Sequence, residues 1–264
     1  MGAAMKLSNS IESVQNTDLV HGPTPVAPFG QVLEVNPLGA EKICAFDCVY
    51  CNLGPSRIRL NQLKNGEAFP TLQAISESFE NALKQIHNHG PSFDRILISG
   101  NGEPALHPEF AGLVKSILDI RGVWAPAKPV IVMTGGAGLE QRKISDAMNL
   151  VDERVVKIDA GNEKLFKVVN APLSRTNLAK VLTGVRKLRD VTVQSLFFEG
   201  NMTNTSQSDI DDWIEVIAII RPKAVMLQGL THPIEGLARC EQDTLYTIAS
   251  RLERRTQIKS TVFP

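Results

Sequence analysis

The chain has 264 residues, 43% of them hydrophobic and 21% charged, the balance of an ordinary folded protein rather than a disordered or fibrous one. Lysine plus arginine total 28 and aspartate plus glutamate total 28, so no net field draws the whole molecule onto nucleic acid or an anionic membrane. The longest apolar runs, such as Val225-Met226-Leu227, are far too short to cross a bilayer, and no charged segment followed by an apolar one opens the chain. The expectation is a cytoplasmic protein with no membrane partner.

In chain order, residues 1–4 read as a leader left by cloning ahead of a native start at Met5. Residues up to 29 read as an irregular arm, polar at first and then rich in proline (Pro23, Pro25, Pro28). From residue 30 onward, short β-branched and apolar runs alternate with segments of helical period. Strands are expected at 31–35, 95–99, 130–134, 155–159, 192–198 and 224–228. Leu72, Ile75, Phe79, Leu83 and Ile86 recur at helical spacing, as do Phe110, Leu113, Val114, Ile117 and Leu118. Further helices are expected at 140–150, 177–188, 208–220 and 241–254, the third with Ser208 as its N-cap. Six βα units within a core domain of 30–264, closed by a short C-terminal tail, predict a partial (β/α)6 TIM-type barrel of parallel strands with ligands at the strands' C-terminal ends. A doubly wound open sheet is the competing architecture.

Three of the four cysteines, Cys44, Cys48 and Cys51, lie in the string Cys44-Ala45-Phe46-Asp47-Cys48-Val49-Tyr50-Cys51, and only Cys240 stands elsewhere. Clustered thiols in such a chain favour metal binding over a disulfide framework. Three thiolates at C-x3-C-x2-C spacing, in a loop after the first strand, suit a [4Fe-4S] cluster with one iron left for an outside ligand. A zinc site completed by a histidine such as His21 and inert buried thiols are the alternatives. After the second strand comes Ser99-Gly100-Asn101-Gly102-Glu103-Pro104. Its glycines allow close backbone approach to a ligand, and Glu103 offers an anion to an ammonium group. An ordinary Gly-Pro turn has the same composition.

The cysteine loop resembles the signature of the radical S-adenosylmethionine (SAM) superfamily, C-x3-C-x-aromatic-C, with Tyr50 in the aromatic place. Gly100, Asn101, Gly102 and Glu103 resemble that superfamily's Gly-Gly-Glu-Pro-like motif, and the likeness runs over roughly residues 30 to 230. Within the superfamily the chain is similar to the iron-sulfur oxidoreductases of the wyosine-synthesis-related branch. The resemblance implies a radical SAM core in which Cys44, Cys48 and Cys51 hold a [4Fe-4S] cluster. SAM binds the open iron and is split by an electron from the cluster, and a 5′-deoxyadenosyl radical then abstracts hydrogen from the substrate.

The same resemblance places Gly100, Asn101, Gly102 and Glu103 on the methionine moiety of SAM and Tyr50 against adenine. Thr134 ends the third strand where many relatives carry Thr-Asn-Gly, and here Gly135 and Gly136 follow it. Asp159 falls where relatives contact ribose or substrate and equally where a helix cap would fall. Ser195, Phe198, Glu199 and Asn201 fall where relatives receive adenosine, and Gln228, Thr231 and His232 would face the mouth. The resemblance also implies an electron donor such as flavodoxin or ferredoxin. The wyosine-pathway enzyme that condenses pyruvate uses a second cluster, and Cys240 alone cannot build one. The substrate therefore stays open. RNA modification is weighed against a glycyl-radical-type activase acting on a partner protein and a non-catalytic iron-sulfur regulatory protein. Arg57, Arg59 and Lys64 form a small basic run that could meet phosphate.

Overall fold

The computed structural model describes residues 19–56, 69–173 and 175–263. The basic run at Arg57, Arg59 and Lys64 lies outside the described residues, as does the arm up to residue 18. The strands are β1 (Val20–Val26), β2 (Gly30–Val35), β3 (Arg95–Ile98), β4 (Val130–Thr134), β5 (Glu153–Lys157), β6 (Thr192–Leu196), β7 (Phe198–Gly200), β8 (Ala224–Gln228), β9 (Leu237–Arg239) and β10 (Ser260–Phe263). The helices are α1 (Leu72–His89), α2 (Phe110–Trp124), α3 (Arg142–Met148), α4 (Glu163–Val169), α5 (Leu178–Val185), α6 (Gln207–Ile220) and α7 (Gln242–Thr256).

Eight strands form one sheet in the order β1-β2-β3-β4-β5-β6-β8-β10. All of its neighbours pair in parallel except β1, which runs antiparallel to β2. The sheet curls into the expected partial barrel. Strand order never reverses along it, so it lacks the switch point that defines a doubly wound sheet.

Each face of the sheet has its own core. On the outer face Leu33, Val35, Ile96, Ile98, Val130, Val132, Val193, Val225 and Leu227 pack against the helices. The α1 side of that core is Ile75, Phe79 and Leu83, three fully buried residues at helical spacing, each contributing ~1.5–3 kcal/mol by leaving water. Thr71 starts the helix by accepting a hydrogen bond from the Ala74 amide at 3.1 Å. On the inner face Val32, Leu97, Ile131 and Val155 pack with Phe29, Met133 and Met226. Phe29 sits in the β1–β2 turn, and its carbonyl accepts from Arg95 at 2.9 Å. It packs on that apolar floor beside the N-terminal end of β2.

Several elements differ from the sequence expectation for local physical reasons. Residues 20–26, expected to be irregular, form β1, where prolines are tolerated because an edge strand need not donate every amide hydrogen. The chain after α7 forms β10 beside β8 instead of a tail. β5 begins and ends two residues early, so Ile158 and Asp159 stand beyond it. The run expected at 192–198 breaks at Phe197 into β6 and β7, and β7 pairs with β9 in a separate two-stranded ribbon. Ser206, not Ser208, caps α6, accepting from the Asp209 amide at 3.2 Å. Asn162 caps α4, a helix the periodicity did not reveal, and Asp159 takes no part in that cap.

Candidate functional site

Side chains alternate along each strand, and parallel register pairs Lys157 with Gln194 and Gln194 with Met226. Glu34, Ser99, Lys157, Gln194 and Gln228 therefore continue the inner face beyond its apolar floor and turn it polar toward the C-terminal ends. The cysteine loop and the Gly100–Pro104 loop meet there. The two are zipped along their backbones. Ile43 donates to the Asn101 carbonyl at 2.9 Å, and Glu103 donates back to the Ile43 carbonyl at 2.9 Å. A Cβ on Gly102 would stand 2.0 Å from that same carbonyl oxygen, and one on Gly100 would stand 2.2 Å from Asn36 Oδ1. These glycines, assigned to a ligand from the sequence, also allow the close approach of one loop to another. Asn101 is occupied likewise, its amide nitrogen donating to the carbonyls of Gly39 at 2.9 Å and Ala40 at 3.2 Å.

A second strap holds the cysteine loop from the other side. Asp47 donates to the Ala171 carbonyl at 3.0 Å, Val49 to Val169 at 3.0 Å, and Leu173 donates to Ala45 at 2.8 Å. Within the loop Asp47 Oδ1 accepts from Lys42 at 3.2 Å and from the Ser56 amide at 2.6 Å. Cys44, Cys48 and Cys51 are all free and partly buried. Burial, with Glu103 next in weight, pushes the Cys44 thiol up to about 12, and burial followed by Asp159 raises Cys48.

Glu103 is the centre of the second motif. It is 1% exposed. Oε1 accepts from Thr134 Oγ1 at 2.6 Å and from the Ala105 amide at 3.2 Å, and Oε2 accepts from the Gly135 amide at 2.8 Å. Among the described residues no cation pairs with it, and burial pushes its carboxyl up to about 7. Thr134, expected on SAM, orients Glu103 here, and its oxygen accepts from the Gly136 amide at 2.8 Å.

Tyr50 is buried, and its hydroxyl donates to Asp159 Oδ2. Burial first and Asp159 second hold that phenol well above its ordinary range. Lys157 Nζ stands 5.0 Å from the Tyr50 ring centroid and 3.6 Å from Asp159 Oδ1. Asp159 also accepts from the Leu196 amide at 2.8 Å. Sequence reasoning missed Asn170, which donates to Asp159 Oδ2 at 3.0 Å and lies 3.6 Å from Cys48 Sγ. It also missed Asn204, whose amide bonds the carbonyls of Asp159 and Leu196. Neither asparagine sits in a motif, and no spacing marks them.

Ser195 is not brought to this group. It shares the outer face with Val193 and is fully buried. Its hydroxyl donates to the Ile158 carbonyl at 2.5 Å and accepts from Trp213 at 3.0 Å. Glu199 and Asn201 fall on and beside the β7–β9 ribbon. Thr231 and His232 line a cavity of about 250 Å³ with Arg239. Cys240 is buried at the foot of α7, apart from the triplet.

The donor set fits an iron-sulfur cluster. Thiols give up their protons on binding a metal, and a buried carboxylate without a counter-ion calls for a cationic ligand. No three His, Cys, Asp or Glu side chains among the described residues converge as a single metal ion would require. A cubane takes each thiolate on a different iron and needs no such single point of convergence.

No family model matches the sequence. The chain is 25% identical over 221 residues to a UPF0026 protein of Synechocystis, covering 81% of this chain and 76% of that one. It is 26% identical over 227 residues to a protein named GTPase Obg in Brachyspira hyodysenteriae, covering 85% of this chain but only 32% of that one. Among solved structures it superposes on a radical SAM methyltransferase from Sphaerobacter thermophilus with TM-score 0.64 and 15% identity, covering 90% of this chain and 67% of that one. The fold is the radical SAM partial barrel. TYW1 with a lysine-pyruvate adduct bound gives TM-score 0.63 at 14% identity over 86% of this chain and 74% of that one. Streptococcus suis SuiB bound to the precursor peptide SuiA gives 0.63 at 11% identity over 88% and 48%. The wyosine branch is thus one distant match among several. No helix among the described residues is long and apolar enough to cross a membrane.

Proposed function

We propose that the chain is a radical SAM enzyme whose cluster ligands are Cys44, Cys48 and Cys51. The observation that carries this reading is Glu103, a buried carboxylate with three hydrogen-bond donors and no cation among the described residues, zipped through Ile43 to the loop that bears the thiols. An α-ammonium group is the ligand that such a carboxylate lacks, and the amino group of SAM supplies one. When bound, the reduced cluster supplies the electron that splits the sulfonium of SAM and starts hydrogen abstraction. The chain's own residues orient the partners. Thr134 and the Gly135 amide hold Glu103, and the Ile43–Gly102 ladder holds Cys44 beside it. Asp159 fixes Tyr50, whose buried ring offers a wall for adenine. An external one-electron donor such as a flavodoxin or ferredoxin would reduce the cluster.

The deciding experiment is anaerobic reconstitution with iron and sulfide, reduction by dithionite, addition of SAM and chromatography for 5′-deoxyadenosine. Product in the wild type and none in Cys48→Ala is expected; SAM cleavage by Cys48→Ala would overturn the reading. Cys240→Ala should keep full iron content.

Beside RNA, two solved neighbours support a peptide or protein as a candidate substrate class. SuiB was captured with its precursor peptide. A domain of a pyruvate-formate lyase-activating enzyme from Bacteroides vulgatus superposes with TM-score 0.51 at 14% identity, covering 65% of this chain and 99% of that one. Faster 5′-deoxyadenosine formation with peptide pools than with RNA pools would support the peptide class.

A further inference from the structure

We infer that Asn170 is a positioning residue that raises the reduction potential of the cluster by hydrogen bonding to the sulfur of Cys48; the inference rests on the cluster reading above. Asn170 caps the C-terminus of α4 and is 7% exposed. Its Nδ2 lies 3.0 Å from Asp159 Oδ2, 3.4 Å from the Tyr50 hydroxyl and 3.6 Å from Cys48 Sγ. An amide nitrogen carries two hydrogens. One is held by the carboxylate, and the other faces the Cys48 sulfur and the Tyr50 hydroxyl.

The orientation of this amide is fixed by charge. Turning it over would set Oδ1 against the Asp159 carboxylate and a thiolate, two acceptors facing an acceptor. In the orientation observed, Oδ1 is buried with no hydrogen-bond partner. A buried amide that leaves its oxygen unsatisfied while its nitrogen reaches an acid and a sulfur is placed for donation rather than for packing. Cys48 Sγ also lies 3.7 Å from the Asn170 carbonyl. A metal-bound thiolate can only accept, so the Nδ2–H···S contact is the one open to it. Asp159 orients the amide and Lys157 balances the charge of Asp159 at 3.6 Å, linking the inner wall of the barrel to a cluster ligand.

Reduction adds one electron to the cluster, and the added charge is shared with the ligating sulfurs. A donor on sulfur stabilises the reduced form more than the oxidised one, so hydrogen bonds to the sulfurs set the potential. The test is an anaerobic potentiometric titration of reconstituted wild type, Asn170→Ala and Asn170→Asp, followed by absorbance and by electron paramagnetic resonance of the reduced state. Dithionite and mediators act as electron donors. Both variants should bind the same iron as wild type yet shift the reduction equilibrium about ten-fold toward the oxidised form, a fall of about 59 mV for one electron. Wild-type protein labelled with 15N-asparagine should show a weak 15N coupling to the reduced cluster in pulsed measurements, which needs no variant to fold. An unchanged potential in either folded variant, or no 15N coupling in wild type, overturns the inference and leaves the cluster reading standing. Failure of wild type itself to assemble a cluster overturns the reading beneath it.

Discussion

Gly102 approaches Ile43 so closely that a methyl group on its α-carbon would stand 2.0 Å from the Ile43 carbonyl oxygen, and its φ is +136°. The two loops of the site are thereby one unit. Gly102→Ala meets both the clash and a backbone region that L-residues avoid, the latter alone costing about 1–3 kcal/mol. A lower thermal midpoint and a loss of iron after reconstitution are expected. Full iron content at wild-type stability would show that the loops do not depend on each other.

Gly122 is the natural control. It lies in α2, with nothing within 4 Å of the place a Cβ would take and no positive φ. Gly122→Ala should stabilise the protein by about 0.5–1 kcal/mol through helix propensity, read as a rise in the denaturant midpoint with unchanged iron binding.

Glu103 has a pH signature. Its carboxyl rises from 4.5 to about 7 on folding, so the native state prefers it protonated. Stability is fully present below about pH 4.5 and is lost as pH rises through 7, by up to about 3 kcal/mol. Glu103→Gln should flatten that slope between pH 5 and 7.5 and weaken SAM binding by about ten-fold, equivalent to about 1.4 kcal/mol. Equal slopes in variant and wild type by urea unfolding would mean that a cation already compensates the carboxylate.

Ser195→Ala separates the two faces of the sheet. The hydroxyl bonds Ile158 and Trp213 behind β6, so its loss should cost about 1–2 kcal/mol of stability. SAM affinity, measured by equilibrium dialysis, should stay at the wild-type level; a ten-fold loss would place Ser195 in the binding machinery.

The parallel strands were the most legible part of the sequence. Val130–Thr134 and Ala224–Gln228 form as expected to the residue, because a short apolar, β-branched run buried on both faces has few other solutions. β1 was hidden because Pro23 and Pro25 argue against a strand unless its edge position is known. The placement of Ser195 was available in the alternation of Val193, Ser195 and Phe197 against Gln194 and Leu196, a period of two that assigns Ser195 to the helix side. Asn170 had no such signal. Its meaning comes from Cys48, which stands 122 positions away in the chain, and no local pattern encodes a contact of that separation. The glycines at 100 and 102 were visible as a motif, but whether they make room for a ligand or for a neighbouring loop depends on where Asn36 and Ile43 come to rest.

An open sheet exposes two rims, and a rim of unpaired peptide groups invites a second molecule to add a strand. Among the described residues one rim is β1, whose Pro25 has no amide hydrogen to offer and whose pairing is interrupted between His21 and Thr24. The other is β10, only four residues long. An open half-barrel carries, in these two short or proline-broken borders, its own insulation against growing into a fibre.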